Sequence, residues 1–267
     1  MRRAIKAWKD TLGILQKHPK VLVPFVIAGI ANGLALYLLF LAPQRPVSYV
    51  LAPPVRAFFG ERFLHYPFHL FLLPKLLYYA QILVSASVGI LMTGVAIGML
   101  KDVKAGLRCG LFRNLFISLK RYFGLLGIWM VIFLITFPLT RVYKVVDLNE
   151  SLLGLVSYVI YLVAIFIQFI FIYAMPALII EKRNILSSIK RGLWFLKRFF
   201  FPTLLLVMVP VLLYLPVMLL KQNLGQLVNK FFPEIIVIVL GAGIFITLII
   251  DILTTACPTV IFLKEKK

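Results

Sequence analysis

Six apolar runs, each close to or above the ~20 residues a helix needs to cross a hydrocarbon core, constrain this chain more than any other feature. They extend from Val21 to Leu41, Leu77 to Leu100, Tyr122 to Leu139, Leu152 to Ile180, Phe201 to Leu220 and Ile235 to Leu263. Only Asp251 places a charge inside one of them. Six such runs rule out a soluble enzyme held by a single anchor. The 62% hydrophobic content and mean hydropathy of +1.02 agree, since a soluble domain holds about 45–50% apolar residues. In a bilayer a backbone of this kind satisfies its polar groups as helix, so the class is all-α and polytopic, with six transmembrane helices. The expectation is a single membrane domain over 1–267. The first run is too long, and "APQR" after it too poor a cleavage site, for a removable leader, so 1–20 is expected to remain attached.

The basic residues orient these spans. Of the 29 Lys and Arg, 21 lie in 1–20, 101–121, 181–198 and 264–267, against 8 in 43–76, 141–151 and 221–234. Positive loops stay cytoplasmic, which places both termini inside. The expected location is a bacterial cytoplasmic (inner) membrane. The fourth and sixth runs exceed a perpendicular crossing, and Pro176 and Pro258 sit late in them, where kinks are expected.

A basic, aromatic-bearing segment precedes each odd-numbered span: "AIKAWKDTLGILQKHPK", "LFRNLFISLKRYFG" and "ILSSIKRGLWFLKRFF". At 100° per residue, Ile185, Leu186, Ile189, Leu193, Leu196 and Phe200 share a face opposite Lys190, Arg191, Trp194, Lys197 and Arg198. In the second segment Leu111, Phe112, Leu115, Phe116 and Leu119 oppose Arg113, Asn114, Ser118, Lys120 and Arg121. In the first, Ala4, Trp8, Leu12 and Leu15 oppose Lys6, Lys9, Asp10 and Gln16. These segments predict three amphipathic cytoplasmic interfacial helices in a pseudo-threefold repeat, with repeat-like units of about 1–100, 101–180 and 181–267. Their apolar faces are expected in the acyl boundary or against the bundle. Lys190, Arg191, Lys197, Arg198, Arg113, Lys120, Arg121, Lys6 and Lys9 are the candidate ligands of anionic lipid headgroups, each contributing about 1 kcal/mol near an anionic leaflet. The partners expected are membrane lipids, together with a membrane-protein partner or further copies of the chain. Nucleic acid is not expected, because no long polar stretch forms a soluble reading module.

The connection from Ala42 to Leu76 contains Pro43, Pro46, Pro53, Pro54, Pro67 and Pro74. It predicts one or two short interfacial or re-entrant helices, too broken by proline to span.

Inside the spans, Asp251 with Thr247, Thr255, Gln168 and Asn32 forms the candidate intramembrane polar set, since such residues mark functional paths by default. Two GxxxG spacings, Gly29 to Gly33 and Gly94 to Gly98, predict close helix packing. No HExxH, GxSxG, P-loop or paired-carboxylate pattern is present. His65 and His69 are four apart with Pro67 between them, and no carboxylate accompanies them at ligand spacing. No metal, no cofactor and no catalytic activity are therefore expected. Cys109 and Cys257, far apart in unlike segments, are expected to remain thiols.

The stretch "AMPALIIEKRNILSSIKRGLWFLKRFF" resembles the membrane domain of some glycerophosphoryl diester phosphodiesterases and of related six-helix bacterial membrane proteins. The matching positions are Pro176, Ala177, Glu181, Lys182, Ile185, Ser188, Arg191, Trp194, Leu196, Lys197 and Phe200. The opening "AIKAWKDTLGILQKHPKVLVP" is similar as well, whereas Gly192 replaces a serine and "TVIFLKEKK" lacks the group's Tyr-and-basic ending. The resemblance implies a membrane domain without the catalytic barrel of the fused members. The expected function is a non-catalytic, lipid-interacting envelope or membrane-homeostasis scaffold. The alternative is a small transporter or lipid-translocating protein that uses a polar cavity near Asp251.

Overall fold

Every regular element is a helix in the computed structural model, which describes residues 2–142 and 150–265. Six stretches are long and apolar enough to cross a membrane: Pro19–Phe40, Phe68–Lys104, Tyr122–Leu139, Leu162–Ile180, Phe200–Gln222 and Ile235–Glu265. The chain is an all-helical multi-pass membrane protein. Its helices are α1 (Arg2–Lys17), α2 (Val23–Phe40), α3 (Ser48–Phe59), α4 (Phe68–Val84), α5 (Ile90–Lys104), α6 (Leu111–Lys120) and α7 (Tyr122–Val142). There follow α8 (Glu150–Phe171), α9 (Ala174–Ile180), α10 (Ile185–Arg198), α11 (Phe200–Gln222), α12 (Leu224–Lys230) and α13 (Ile235–Glu265). The connection 141–151 lies for 143–149 outside the described residues.

Two departures from the sequence expectation have backbone causes. The second span starts at Phe68, so the aromatic, proline-bearing stretch before Leu77 belongs to a spanning helix and is not re-entrant. Pro74 lies inside α4, where it removes one hydrogen bond, and a π-helical turn at Ser85–Gly89 carries the helix on into α5. At that turn Ser87 Oγ donates to the Leu83 carbonyl at 2.7 Å. The short connecting helices are only α3 and the 3₁₀ turn Glu61–Leu64. In the fourth span the break comes before Pro176, at Ile172 and Tyr173, between α8 and α9. A proline has no N–H to return to the carbonyl four residues back, whereas in the first turn of a new helix none is needed. Pro258, by contrast, is carried within an unbroken α13.

The chain forms two compact units. One comprises Met1–Pro24, Ile90–Val211 and Ile252–Lys267, and the other Phe25–Gly89 and Leu212–Asp251. In the second unit, Leu36 of α2, Leu70, Leu73 and Leu77 of α4, and Ile236, Leu240 and Ile244 of α13 make one buried cluster. There Gly29 packs against the tip of Leu248, whose Cδ1 would have to shift for an added Cβ, while Gly33 has open space around it. The first GxxxG is thus a contact at one of its two glycines.

In the first unit small residues set the packing. On α6 the buried pair is Asn114 and Ser118, lying on Gly98 and Gly94 of α5. On α10 it is Ser188 and Gly192, and a Cβ at Gly192 would fall 2.9 Å from the Ala174 backbone nitrogen of α9. On α1 it is Ala7 and Thr11, with the Thr11 hydroxyl on the Cys257 thiol of α13. Phe112 and Leu186 point elsewhere, at 82% and 75% exposed, whereas Phe195 and Leu196 of α10 and Leu15 of α1 are buried as well. The burial of Asn114 and Ser118 corrects the helical-wheel assignment, which grouped them with Arg113, Lys120 and Arg121 on the basic face. Lipid gives large apolar side chains no reason to leave it, so helix association there relies on small residues that let backbones approach.

Ion pairs tie two of these junctions in the same register. Arg191, just before Gly192, pairs with Glu181, which lies seven residues beyond Ala174. Asp10, just before Thr11, pairs with Lys264, seven residues beyond Cys257, so the charges are reversed. Asp10→Lys and Lys264→Glu should each lower thermal stability in detergent, and the double exchange should recover it. The expected double-mutant coupling is about 0.5–1 kcal/mol, because both side chains are partly exposed.

Candidate functional site

The end of α5, one side of α6, the start of α7 and the α9–α10 turn line an open cavity of about 1110 Å³. Its cationic lining is Lys101, Lys120, Arg121, Lys182, Arg183 and Lys190, and Asp102 is its sole carboxylate. Asn114, Asn184 and Ser187 add neutral polar groups, and Ile117, Leu178, Ile185 and Leu186 an apolar side.

Its walls are held by hydrogen bonds formed within the protein. Arg121 donates from one terminal nitrogen to the Leu178 carbonyl at 2.9 Å and the Arg183 carbonyl at 3.4 Å. Its other terminal nitrogen donates to the Lys182 carbonyl at 3.3 Å. That clamp lies over a backbone that reverses through Lys182 at φ 58, a left-handed conformation that ends α9 where glycine is the usual occupant. On the facing wall the buried Asp102 carboxylate meets Arg113 at 2.5 Å and accepts from the Asn114 amide at 2.7 Å. Asn114 also donates to the Gly110 carbonyl at 2.9 Å, which fixes the first turn of α6. Glu181, nearly buried, is neutralised by Arg183 and by Arg191 at 3.4 Å. Six cations converging on a cavity with one paired carboxylate make a positive field, which concentrates anions.

The nine candidate headgroup cations divide into groups. Lys120, Arg121 and Lys190 line this cavity. Arg113, Arg191 and Arg198 face acids: Asp102, Glu181 and, at 3.9 Å, Glu265. Lys6 lines a smaller cavity of about 250 Å³ beside α1, α11 and α13. Lys9 and Lys197 are exposed. Cations also sit over exposed rings, Lys120 over Phe116 at 4.6 Å and Arg191 over Trp194 at 4.6 Å, which suits a headgroup boundary.

Sequence reasoning missed Asp102 and Glu181, along with Lys101, Lys182 and Arg183, as site components. A signal for the acids was present: "LKD", "IIEK" and "LKE" each set one carboxylate beside a lysine near the end of an even-numbered span.

The intramembrane polar set is not gathered at this cavity. Gln168 and Asp251 are exposed on the chain's own surface. Thr247 donates to the Gly243 carbonyl at 2.8 Å and Asn32 to the Ala28 carbonyl at 3.0 Å, while Thr255 is half-buried. The Asn32 Oδ1 atom is buried without a hydrogen-bond donor. His69 packs against the rings of Phe40 and Tyr66.

Cys109 lies just past α5, where burial first and the Asp102 charge second push its thiol above its ordinary value, opposed by Lys20 and Arg113. Thiolate is the reactive form, so maleimide labelling of Cys109 should still be rising with pH at about pH 9. A plateau below pH 8.5 would contradict this environment.

No protein-family model matches this chain, and no curated protein and no solved structure matches it.

Proposed function

We propose that this is a non-catalytic lipid-interacting protein of a bacterial inner membrane, with both termini cytoplasmic and α1, α6 and α10 lying at the cytoplasmic leaflet. Its role is that of an envelope or membrane-homeostasis scaffold, in line with the resemblance to the phosphodiesterase-associated membrane domain. The observation that carries this is the cation-lined cavity at the α5–α6 and α9–α10 junctions, flanked by exposed aromatic residues. Anionic headgroups complement such a surface, and exposed rings beside it suit the acyl boundary.

A pseudo-threefold arrangement is supported by the three small-residue junctions: α5 with α6, α9 with α10, and α13 with α1. Each joins the end of an even-numbered span to a short basic helix. The reversed but co-registered ion pairs of the last two suit repeated units that have diverged in charge.

Reporter fusions test the orientation. Cytoplasmic activity is expected at 110 and external activity at 228. An external signal at 110 would remove the cytoplasmic leaflet from the account.

A further inference from the structure

Resting on that lipid-interacting reading, we infer that the large cavity is a built binding site for one phosphomonoester, presented as the headgroup of a lipid. A diffuse basic surface would attract any anionic lipid and would need no fixed walls. Here the walls are fixed by the Arg121 clamp on the α9–α10 turn and by the Asp102–Arg113–Asn114 cluster on α6. A site organised before the ligand arrives spends less of its binding free energy on ordering.

Charge selects the ligand class. Asp102 and Glu181 are paired with Arg113, Arg183 and Arg191, so the lining carries a surplus of positive charge, with Lys120 and Lys190 exposed at it. A singly charged phosphodiester would leave most of that surplus unanswered. A phosphomonoester brings nearly two negative charges near neutral pH and three terminal oxygens for charge-assisted hydrogen bonds. Asn184 and Ser187, also on the lining, add neutral polar groups.

Size and apolar lining select the form. A cavity of about 1110 Å³ is somewhat larger than most small-molecule sites, about 300–1,000 Å³, and far exceeds a bare phosphate. Ile117, Ile185 and the 75% exposed Leu186 give it an apolar side that an inorganic ion leaves uncovered and the start of an acyl chain covers.

The test uses the full chain in detergent, titrated with dioctanoyl phosphatidic acid, dioctanoyl phosphatidylglycerol and inorganic phosphate. It compares wild type, Lys120→Gln/Lys190→Gln and the off-cavity control Lys17→Gln/Lys104→Gln, whose lysines are exposed and outside the lining, all checked for unchanged melting. Wild type should bind one phosphatidic acid about tenfold or more tighter than phosphatidylglycerol, with inorganic phosphate competing only weakly. The cavity variant should lose about tenfold and the control less than about twofold. Equal losses in the two variants, or equal affinity for the two lipids, would overturn the site while leaving general headgroup attraction intact. Inorganic phosphate binding as tightly as the lipid would overturn the lipid assignment. No binding of either lipid by wild type would sink this inference and the lipid-interacting reading together.

Discussion

Phe195→Ala should destabilise the protein by about 3–5 kcal/mol, measured by reversible denaturant unfolding in micelles. Phe195 is 2% exposed, and its ring centroid lies 4.8 Å from Phe262, 5.0 Å from Phe199 and 5.2 Å from Tyr173. It therefore joins α10 to the α8–α9 break at Tyr173 and to the end of α13. Near lipid the loss is one of dispersion contacts and of a cavity that cannot collapse, because the surrounding backbones already touch. Tyr173 is fixed independently by a 2.6 Å hydrogen bond to Thr203, whose hydroxyl is shared with the Phe199 carbonyl at 2.7 Å. It has little freedom to move into the space. A cost under about 1 kcal/mol would mean that this aromatic cluster is not a packed core.

Gly192→Ala should cost about 2 kcal/mol, while Gly33→Ala should be neutral or slightly stabilising. The added Cβ at 192 would stand 2.9 Å from the Ala174 nitrogen and 3.2 Å from its Cα. Both atoms are backbone, so no rotamer relieves the clash and α10 must move off α9. Gly33 has nothing within 4 Å and gains only the better helix propensity of alanine. The contrast separates contact glycines from incidental ones in a single pair of melting curves. Equal effects at 192 and 33 would contradict the junction described here.

The number and approximate limits of the spans were legible because about 20 apolar residues in lipid have one backbone solution. Proline distorted the details. Pro67 and Pro74 make the second span look broken before Leu77, yet the helix from Phe68 tolerates Pro74, since losing one hydrogen bond does not stop a helix this long. Pro176 suggested a kink, and the break came just before it because the residue is suited to a first turn.

The candidate site was legible in part. Lys120, Arg121 and Lys190 were named from charge patterning and meet at one cavity. Arg113, Arg191 and Arg198 carried the same signal, but acids face them, and only tertiary placement distinguishes a cation facing a carboxylate from one facing a cavity. Asn114 and Ser118 were grouped with the basic face because a helical wheel scores polarity and not size. Their partners, Gly98 and Gly94, show that size decided their place. The motif that resembles the phosphodiesterase-associated domain has local work here: Glu181 pairs with Arg191, Ser188 is buried, and Trp194 lies under Arg191.

The most direct test of the lipid-interacting account is native mass spectrometry with lipid identification, on the full chain purified gently from a bacterial inner membrane. Anionic phospholipid should be retained in excess of its share of the source membrane, with phosphomonoester lipid the most enriched. Retained lipid that mirrors the bulk composition, or a chain released free of anionic lipid, would contradict the account.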